Sequence, residues 1–409
     1  MKKTICFVVP SFPTVTETFV TNQVLQAKMH GYQVLLLTDK LLPLEQSSQQ
    51  ELLTKHHILE RIYVVAYDIP KSKLKRRIKA FFLILKHFKY WLRFEELSIR
   101  KRFSTLPFQL AFYNQFKEVS VFHIQFALAG LEIAKMKSIG LLPAKIITTF
   151  HGYDAHFETQ DRLILLQQRY RLLLKYSQYL TINTNYLSKK VQLLGGEIGK
   201  IKIIPMGIDL EFFQSKSEKS ISAKATIQLI SIGRLVELKG FEYAVKSVKI
   251  LVDKGFDVQY TIVGEGKDKD TLLQLISKLN LTESVFLVGA KSQTDIKILL
   301  EENHIFLMSS ITDSTNRAEA QGVVVAEAQA MGLPVVAYRS GGVPYTILEN
   351  KTGFLASEKN IEEFAYHIIK LIENPNLYID MSVSAKRFAI NNFSRDLLAQ
   401  KFFELYNKQ

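Results

Sequence analysis

Residues 305–338 read IFLMSSITDSTNRAEAQGVVVAEAQAMGLPVVAY. The apolar run Ile305–Met308 reads as a short strand, a polar stretch follows, Val323 opens an apolar helix, and Pro334–Tyr338 reads as a second strand. A strand, a helix and a strand in that order make a βαβ unit, whose strands lie parallel in one sheet. Two glutamates, Glu319 and Glu327, stand eight positions apart in this otherwise greasy stretch. An unpaired buried carboxylate is costly, so each must reach solvent or meet a specific partner. Gly322 marks the turn into the helix, which leaves Glu319 on the loop and Glu327 inside the helix. Both can therefore face one ligand. Equally, Glu319 can sit in solvent while Glu327 pairs with a neighbouring cation.

The same alternation extends in both directions. Ahead of it come strand-like runs Ile227–Ile232, Gln259–Val263 and Val285–Val288, separated by helical patterns. The N-terminal half repeats the design with Ile5–Val9, Gln33–Leu37, Ile62–Ala66, Val119–Ile124, Ile146–Phe150 and Tyr179–Asn183. A helix over Glu17–His30 closes at Gly31. The expected class is α/β, with two Rossmann-like domains facing across a cleft. Residues 1–205 form the first, a polar Ser/Lys-rich stretch at 206–226 is the linker, and 227–390 form the second. A helix within 391–409 has no strand after it and is expected to cross back to the first domain. In such folds ligands bind outside the carboxyl ends of the strands, so residues just after strands carry the interest.

Composition narrows the partners. The 409 residues are 47% hydrophobic and 22% charged, ordinary for a chain that buries large cores. The single cysteine, Cys6, excludes an internal disulfide and fits a reducing compartment. The apolar run after Met1 is too short for a secretory core before Pro10, and no run reaches the length of a membrane-spanning helix, so a cytoplasmic protein is expected. The net charge of +14 is concentrated: residues 71–102 hold twelve Lys and Arg against only Glu95 and Glu96. That density points to a local anionic partner.

Five stretches after strands carry residues suited to chemistry. GRLVELKG, 233–240, puts Arg234 and Lys239 beside a helix start, where backbone N–H groups and side-chain charge together bind anions. Two solvated surface cations would look the same. In GEGKDKD, 264–270, Gly264 and Gly266 permit close backbone approach to a ligand or simply a tight turn. Asp268 and Asp270 there suit a first helical turn better than a metal site. TTFHGYDAH, 148–156, places His151 at a strand end, with Asp154 three residues on. SFPTVTETFV, 11–20, follows the first strand, with Thr16 and Glu17 at a helix start, either capping it or lining the cleft. The fifth is the Glu319 to Glu327 stretch itself. No zinc-type spacing and no nucleophile-elbow signature occurs.

Together these motifs resemble the family-4 retaining glycosyltransferases of GT-B architecture. The marks are the spacing of Glu319 and Glu327, the run AEAQAMGLPVVAYRSGGVP to KTGFL, and GRLVELKG, VGEG, IPMGID and HGYD in their order. PTVTETFV resembles the branch serving exopolysaccharide, capsule and lipopolysaccharide assembly. The resemblance implies transfer of a hexose from a nucleotide-diphosphate sugar to a lipid-linked or growing polysaccharide acceptor. It implies that Arg234 and Lys239 bind the diphosphate, Glu327 the ribose hydroxyls and Glu319 those of the transferred sugar. The backbone at Gly322, Val323 and Val324 would cradle sugar and distal phosphate, and Gly264 and Gly266 would lie near the nucleoside. His151 would face the reacting sugar, with Asp154, Thr16 and Glu17 on the acceptor side. Fixed cations and a helix N-terminus stabilise a departing diphosphate, so no metal or other cofactor is expected, and same-face attack needs no enzyme nucleophile. Two departures stand out: Tyr345 where relatives often carry an acid, and no glycine-rich loop after the first strand.

The basic segment reads as an amphipathic helix. Leu74, Ile78, Phe81, Leu85, Phe88 and Leu92 share one face at helical spacing. Lys75, Lys79, Lys86, Lys89 and Arg93 gather largely opposite, and Arg76, Arg77, Phe81, Phe82 and Trp91 join them as candidate membrane contacts. Such a helix is expected on an anionic membrane surface, which predicts peripheral attachment to the inner face. An ordinary domain helix would instead bury the apolar face. Nucleic acid is not expected as a partner, because no binding motif accompanies the charge. A dinucleotide oxidoreductase is disfavoured by the missing G-x-G-x-x-G after the first strand. A catalytically silent sugar-nucleotide binder, or a GT-B epimerase or phosphorylase, remains the alternative.

Overall fold

The computed structural model describes residues 3–14, 18–47, 49–94, 98–215, 217–222 and 224–408. Thr16, Glu17, Glu95 and Glu96 lie outside the described residues. The chain divides into two compact units: Met1–Ile182 with Ser188–Ile203 and Lys401–Gln409, and Asn183–Leu187 with Ile204–Gln400.

The first unit holds a seven-stranded sheet: β1 (Thr4–Phe12), β2 (Gln33–Leu41), β3 (Ile62–Val64), β4 (Val121–Gln125), β5 (Lys145–Phe150), β6 (Tyr179–Ile182) and β7 (Ile201–Ile203), in spatial order β3-β2-β1-β4-β5-β6-β7. The second holds β8 (Ile227–Ile232), β9 (Val258–Val263), β10 (Val285–Leu287), β11 (Ile305–Met308), β12 (Val335–Tyr338) and β13 (Gly353–Ala356), ordered β10-β9-β8-β11-β12-β13. Every neighbouring pair is parallel. Parallel strands covered on both faces read as continuous apolar runs, which is why β11 and β12 are buried at every residue. The edge strands β7 and β13 were not expected from sequence. β7 is only three residues long, too short to show a pattern.

Helices cover the second sheet through apolar stripes. Ile361–Glu373 buries Phe364, Ala365, Ile368, Ile369, Leu371 and Ile372, and Asn360 caps it by accepting from the Glu363 N–H. The stretch expected to be a linker is instead part of the second unit. Ile208, Phe213 and Ile221 enter its cores. Buried Lys219 donates to the carbonyls of Leu300 and Asn303, each at 3.0 Å, closing the helix Gln293–Glu302. Serine and lysine content mimicked a linker because this lysine works as a helix cap. The last helix, Arg395–Asn407, clusters with the second unit up to Gln400 and with the first from Lys401. Lys145 and Lys3 donate to the carbonyls of Leu405 and Tyr406 at its end, at 2.9 and 3.1 Å.

The basic segment forms helices Lys73–Lys86, Phe88–Leu92 and Ile99–Ser104, followed by Leu106–Asn114. The apolar stripe faces outward. Leu74, Ile78, Phe81, Leu85, Phe88 and Leu92 are all exposed, from 49% to 68%, and the first helix buries Ala80 instead. Four candidate membrane contacts are held within the protein. Arg76 donates to the Pro70 carbonyl, Lys79 pairs with Asp68 at 2.5 Å, and Arg93 reaches the Ile139 carbonyl. Trp91 donates to the Arg102 carbonyl at 3.0 Å, with the Arg102 guanidinium stacked on its ring. Lys75, Arg77, Phe81, Phe82, Lys86 and Lys89 are exposed. Among the described residues no helix is long and apolar enough to cross a membrane.

Candidate functional site

In the second sheet the strand order reverses between β8 and β11. In doubly wound sheets such a reversal is where helices leave on opposite sides and a ligand crevice opens at the carboxyl ends. The two loops leaving these strands carry the candidate residues. After β8, Arg234 is exposed, and its guanidinium makes no hydrogen bond or ion pair among the described residues. A single 3-10 turn, Glu237–Lys239, then brings Lys239 back. Its Nζ lies 2.5 Å from Glu319 Oε2, with both side chains largely buried. The partner demanded for Glu319 is therefore Lys239, and the solvent-exposed alternative is not observed.

The loop from β11 to the next helix is locked by carboxylates. Asp313 accepts from the N–H groups of Thr315 and Arg317 and from the Thr315 hydroxyl, and forms an ion pair with the Arg317 guanidinium at 2.7 Å. Burial alone would raise the Asp313 carboxyl, yet these hydrogen bonds outweigh it and hold it at about 2. Glu237 receives the N–H and hydroxyl of Ser314, and Glu358 those of Thr312. Gln321 exchanges two hydrogen bonds with the Met206 backbone, at 2.7 and 3.0 Å. The Gly342 N–H donates to the Glu319 carbonyl at 2.6 Å. Sequence reasoning passed over Asp313, Glu237, Glu358 and Gln321, because acids and amides in a polar loop look solvated until their partners are placed.

Gly322 turns the chain into the helix Val323–Ala330 with φ +82°, a left-handed conformation open to glycine. No side chain caps that helix and no acid lies in its first turn, so its N-terminal N–H groups and dipole are available to an anion. Val323 and Val324 pack beneath on the core. Glu327 is partly buried and has no ion pair among the described residues, so the neighbouring-cation alternative is not observed either. Desolvation pushes its carboxyl up to about 7.

Gly264, with φ +146°, and Gly266 are explained by the fold itself. A Cβ on Gly264 would lie 1.9 Å from the Gly233 carbonyl oxygen, and one on Gly266 2.2 Å from that of Leu235. These glycines let the loop after β9 press on the loop after β8. Asp268 and Asp270 stand at the start of the helix Lys269–Lys278.

In the first unit His151 follows β5. Its ring lies 4.5 Å from those of Phe19 and Phe126, and its Nε2 is 2.8 Å from Gln125 Oε1. Burial holds the imidazole down at about 3. Asp154 is only 3% exposed and is spent on the backbone, accepting from the N–H groups of Ala127, His151 and Gly152. Burial pushes it up to about 6 against those hydrogen bonds. Asp154, named as an acceptor-side candidate, thus shapes the His151 turn from inside. Asn183, after β6, also escaped sequence reading. It is 3% exposed, and neither amide atom finds a hydrogen-bond partner among the described residues. A buried unsatisfied amide marks a place for water or a polar ligand.

Residues 212–388 match the family model described as glycosyl transferases group 1. The amylovoran biosynthesis glycosyltransferase AmsK of Erwinia amylovora is 26% identical over 98% of each chain. The putative colanic acid biosynthesis glycosyltransferase WcaL of Escherichia coli K12 is 27% identical, over 88% of this chain and 89% of its own. Among solved structures, Anabaena Alr3699/HepE in complex with UDP superposes with a TM-score of 0.75 over the whole of both chains at 17% identity. With Lys239, Glu319 and an uncapped helix at the reversal point of its second sheet, the chain has a GT-B fold and is similar to the glycosyl transferases group 1 over residues 212–388.

Proposed function

We propose that this chain is a glycosyltransferase that moves a hexose, with retention, from a nucleotide-diphosphate sugar to a lipid-linked or growing polysaccharide acceptor. The observation that carries the reading is the meeting of Lys239 and Glu319 beside the open N-terminus of the helix that bears Glu327. A cation and aligned N–H groups suit a diphosphate, and carboxylates suit sugar hydroxyls. As the glycosidic bond breaks, negative charge grows on the diphosphate. Arg234, Lys239 and the helix N-terminus take up that charge, so we assign no divalent metal to the step. The partly buried His151 stays neutral and presents an imidazole nitrogen rather than a charge to the reacting sugar. Support for the donor comes from HepE, solved with UDP and with UDP-glucose, and from a GDP-mannose-dependent mannosyltransferase relative of Mycolicibacterium smegmatis. Support for the acceptor comes from the relatives named for amylovoran and colanic acid biosynthesis.

Thermal unfolding with UDP, GDP and ADP tests the donor site. One nucleotide is expected to raise the midpoint at millimolar concentration, and Arg234→Ala and Glu327→Ala to abolish most of that rise. No shift with any nucleotide would remove the basis of the donor assignment.

We also propose peripheral attachment to an anionic membrane at the cytoplasmic face. Exposed Phe81, Phe82 and Leu85 beside Lys75, Arg77, Lys86 and Lys89 form a surface of the right chemistry. Each basic residue near such a surface contributes on the order of 1 kcal/mol. Co-sedimentation with phosphatidylglycerol vesicles is expected, and little with phosphatidylcholine alone. Reversing the four charges to Glu should lower vesicle affinity at least about tenfold. Equal binding to both vesicle types would reject the electrostatic part.

A further inference from the structure

β4 is buried throughout, yet it carries His123 and Gln125, both without solvent exposure. Buried polar side chains need partners, and these form a connected chain. Gln125 Nε2 lies 2.7 Å from Gln23 Oε1 and 3.2 Å from His123 Nε2. His123 stands between the Tyr406 hydroxyl, 2.6 Å from Nδ1, and the Thr149 hydroxyl, 2.8 Å from Nε2. Thr149 in turn meets Thr181. The chain ends at His151, whose Nε2 faces Gln125 Oε1 and whose Nδ1 is buried with no hydrogen-bond partner among the described residues. Beside it Phe126 holds φ at +68°, a conformation that costs energy in a bulky residue and persists only where surroundings impose it. An amide oxygen only accepts, so the imidazole proton must sit on Nε2, leaving Nδ1 as an open acceptor.

We propose that Gln125 is a positioning residue for the transfer reaction: backed by Gln23 and by the His123–Tyr406 pair, it fixes His151 as the Nε2-protonated neutral form, so that Nδ1 accepts a hydrogen bond from a sugar hydroxyl. The last clause rests on the donor reading; the tautomer does not. Among the described residues, the groups around His151 other than Asp154 favour the neutral ring. Phe19 and Phe126 are uncharged, Gln23 and Gln125 are amides, and His123 is itself held neutral by burial. Asp154 is the exception, but its carboxylate is engaged by backbone N–H groups, including that of His151.

Nitrogen-15 NMR of the histidine-labelled full chain reads the tautomer directly, with His151 assigned from His151→Phe. The wild type is expected to show the proton on Nε2 and no titration of His151 between pH 5 and 8. Gln125→Met, similar in size without the amide oxygen, should release the proton to a mixture of the two nitrogens. Gln125→Glu should move the His151 titration upward by about one to three pH units. Gln125→Met should also lower kcat for nucleotide-sugar turnover roughly ten- to a hundredfold while leaving nucleotide affinity within about twofold. If the buried variants do not fold, Gln23→Leu, at a partly exposed position, carries the same test through the next link. A wild-type proton on Nδ1, or a tautomer unmoved by these variants, would overturn the proposal. So would unchanged kcat in a variant whose tautomer has moved. If the wild type turned over no nucleotide sugar, the donor reading would fall, and the NMR result would still decide whether Gln125 sets the proton.

Discussion

Lys239→Ala is expected to lower kcat/KM for the nucleotide sugar by about 10²- to 10³-fold, the loss typical when one fixed charge-stabilising group is removed. Two effects combine at this position. The cation proposed to meet the departing diphosphate disappears, and Glu319, at 2.5 Å in the intact protein, is left as an unpaired and largely buried carboxylate. The second effect repels the donor even before chemistry begins. The two separate by pairing Lys239→Ala with Glu319→Gln. Removing the stranded charge should restore much of the nucleotide affinity, measured by titration calorimetry, without restoring kcat. Lys239→Arg should keep more activity than alanine, yet less than lysine, because the longer planar fork does not occupy the same point. A Lys239→Ala enzyme within threefold of wild-type kcat/KM would place the leaving group somewhere else.

The pairing of Lys239 with Glu319 shows where sequence reading succeeds and where it stops. Parallel α/β architecture was legible because strands buried on both faces must be apolar throughout, and Ile305–Met308 is. The loops that carry the candidate residues were legible too, since chain order alone places them after strands. What could not be read were partners far apart in the chain. Eighty positions separate Lys239 from Glu319, and nothing local in GRLVELKG announces the contact. Lys219 looked like linker chemistry until its three carbonyl partners were in view. The apolar stripe of residues 74–92 had a correct period, but period cannot say which face meets the core; burial of Ala80 decided that. Gly264 and Gly266 were noticed for the right property, close approach, and the approaching group is backbone.

Nucleotide affinity is expected to rise with pH through about 7, and to fall by roughly fiftyfold between pH 7 and pH 5 if only the carboxylate form of Glu327 binds. Desolvation raises this carboxyl to about 7, so near neutrality the free enzyme is divided between protonated and ionised forms. Ribose hydroxyls are donors, and they favour the ionised acceptor. The stability contribution of the same group has the opposite sign. In the unfolded chain a glutamate loses its proton near 4.3, about where model peptides do, whereas in the folded protein Glu327 keeps it to about 7. Folding is therefore opposed increasingly as pH rises across that window, and the full cost is present above it. Asp154, raised to about 6, titrates within the same range, and so does the terminal phosphate of a nucleoside diphosphate. Glu327→Gln isolates the site: it should flatten the part of the affinity profile centred near 7, raise stability above pH 7 relative to wild type, and leave the Asp154 and phosphate contributions in place. Affinity and stability moving together with pH in the wild type would show that the titration belongs to the fold as a whole and not to the ribose contact.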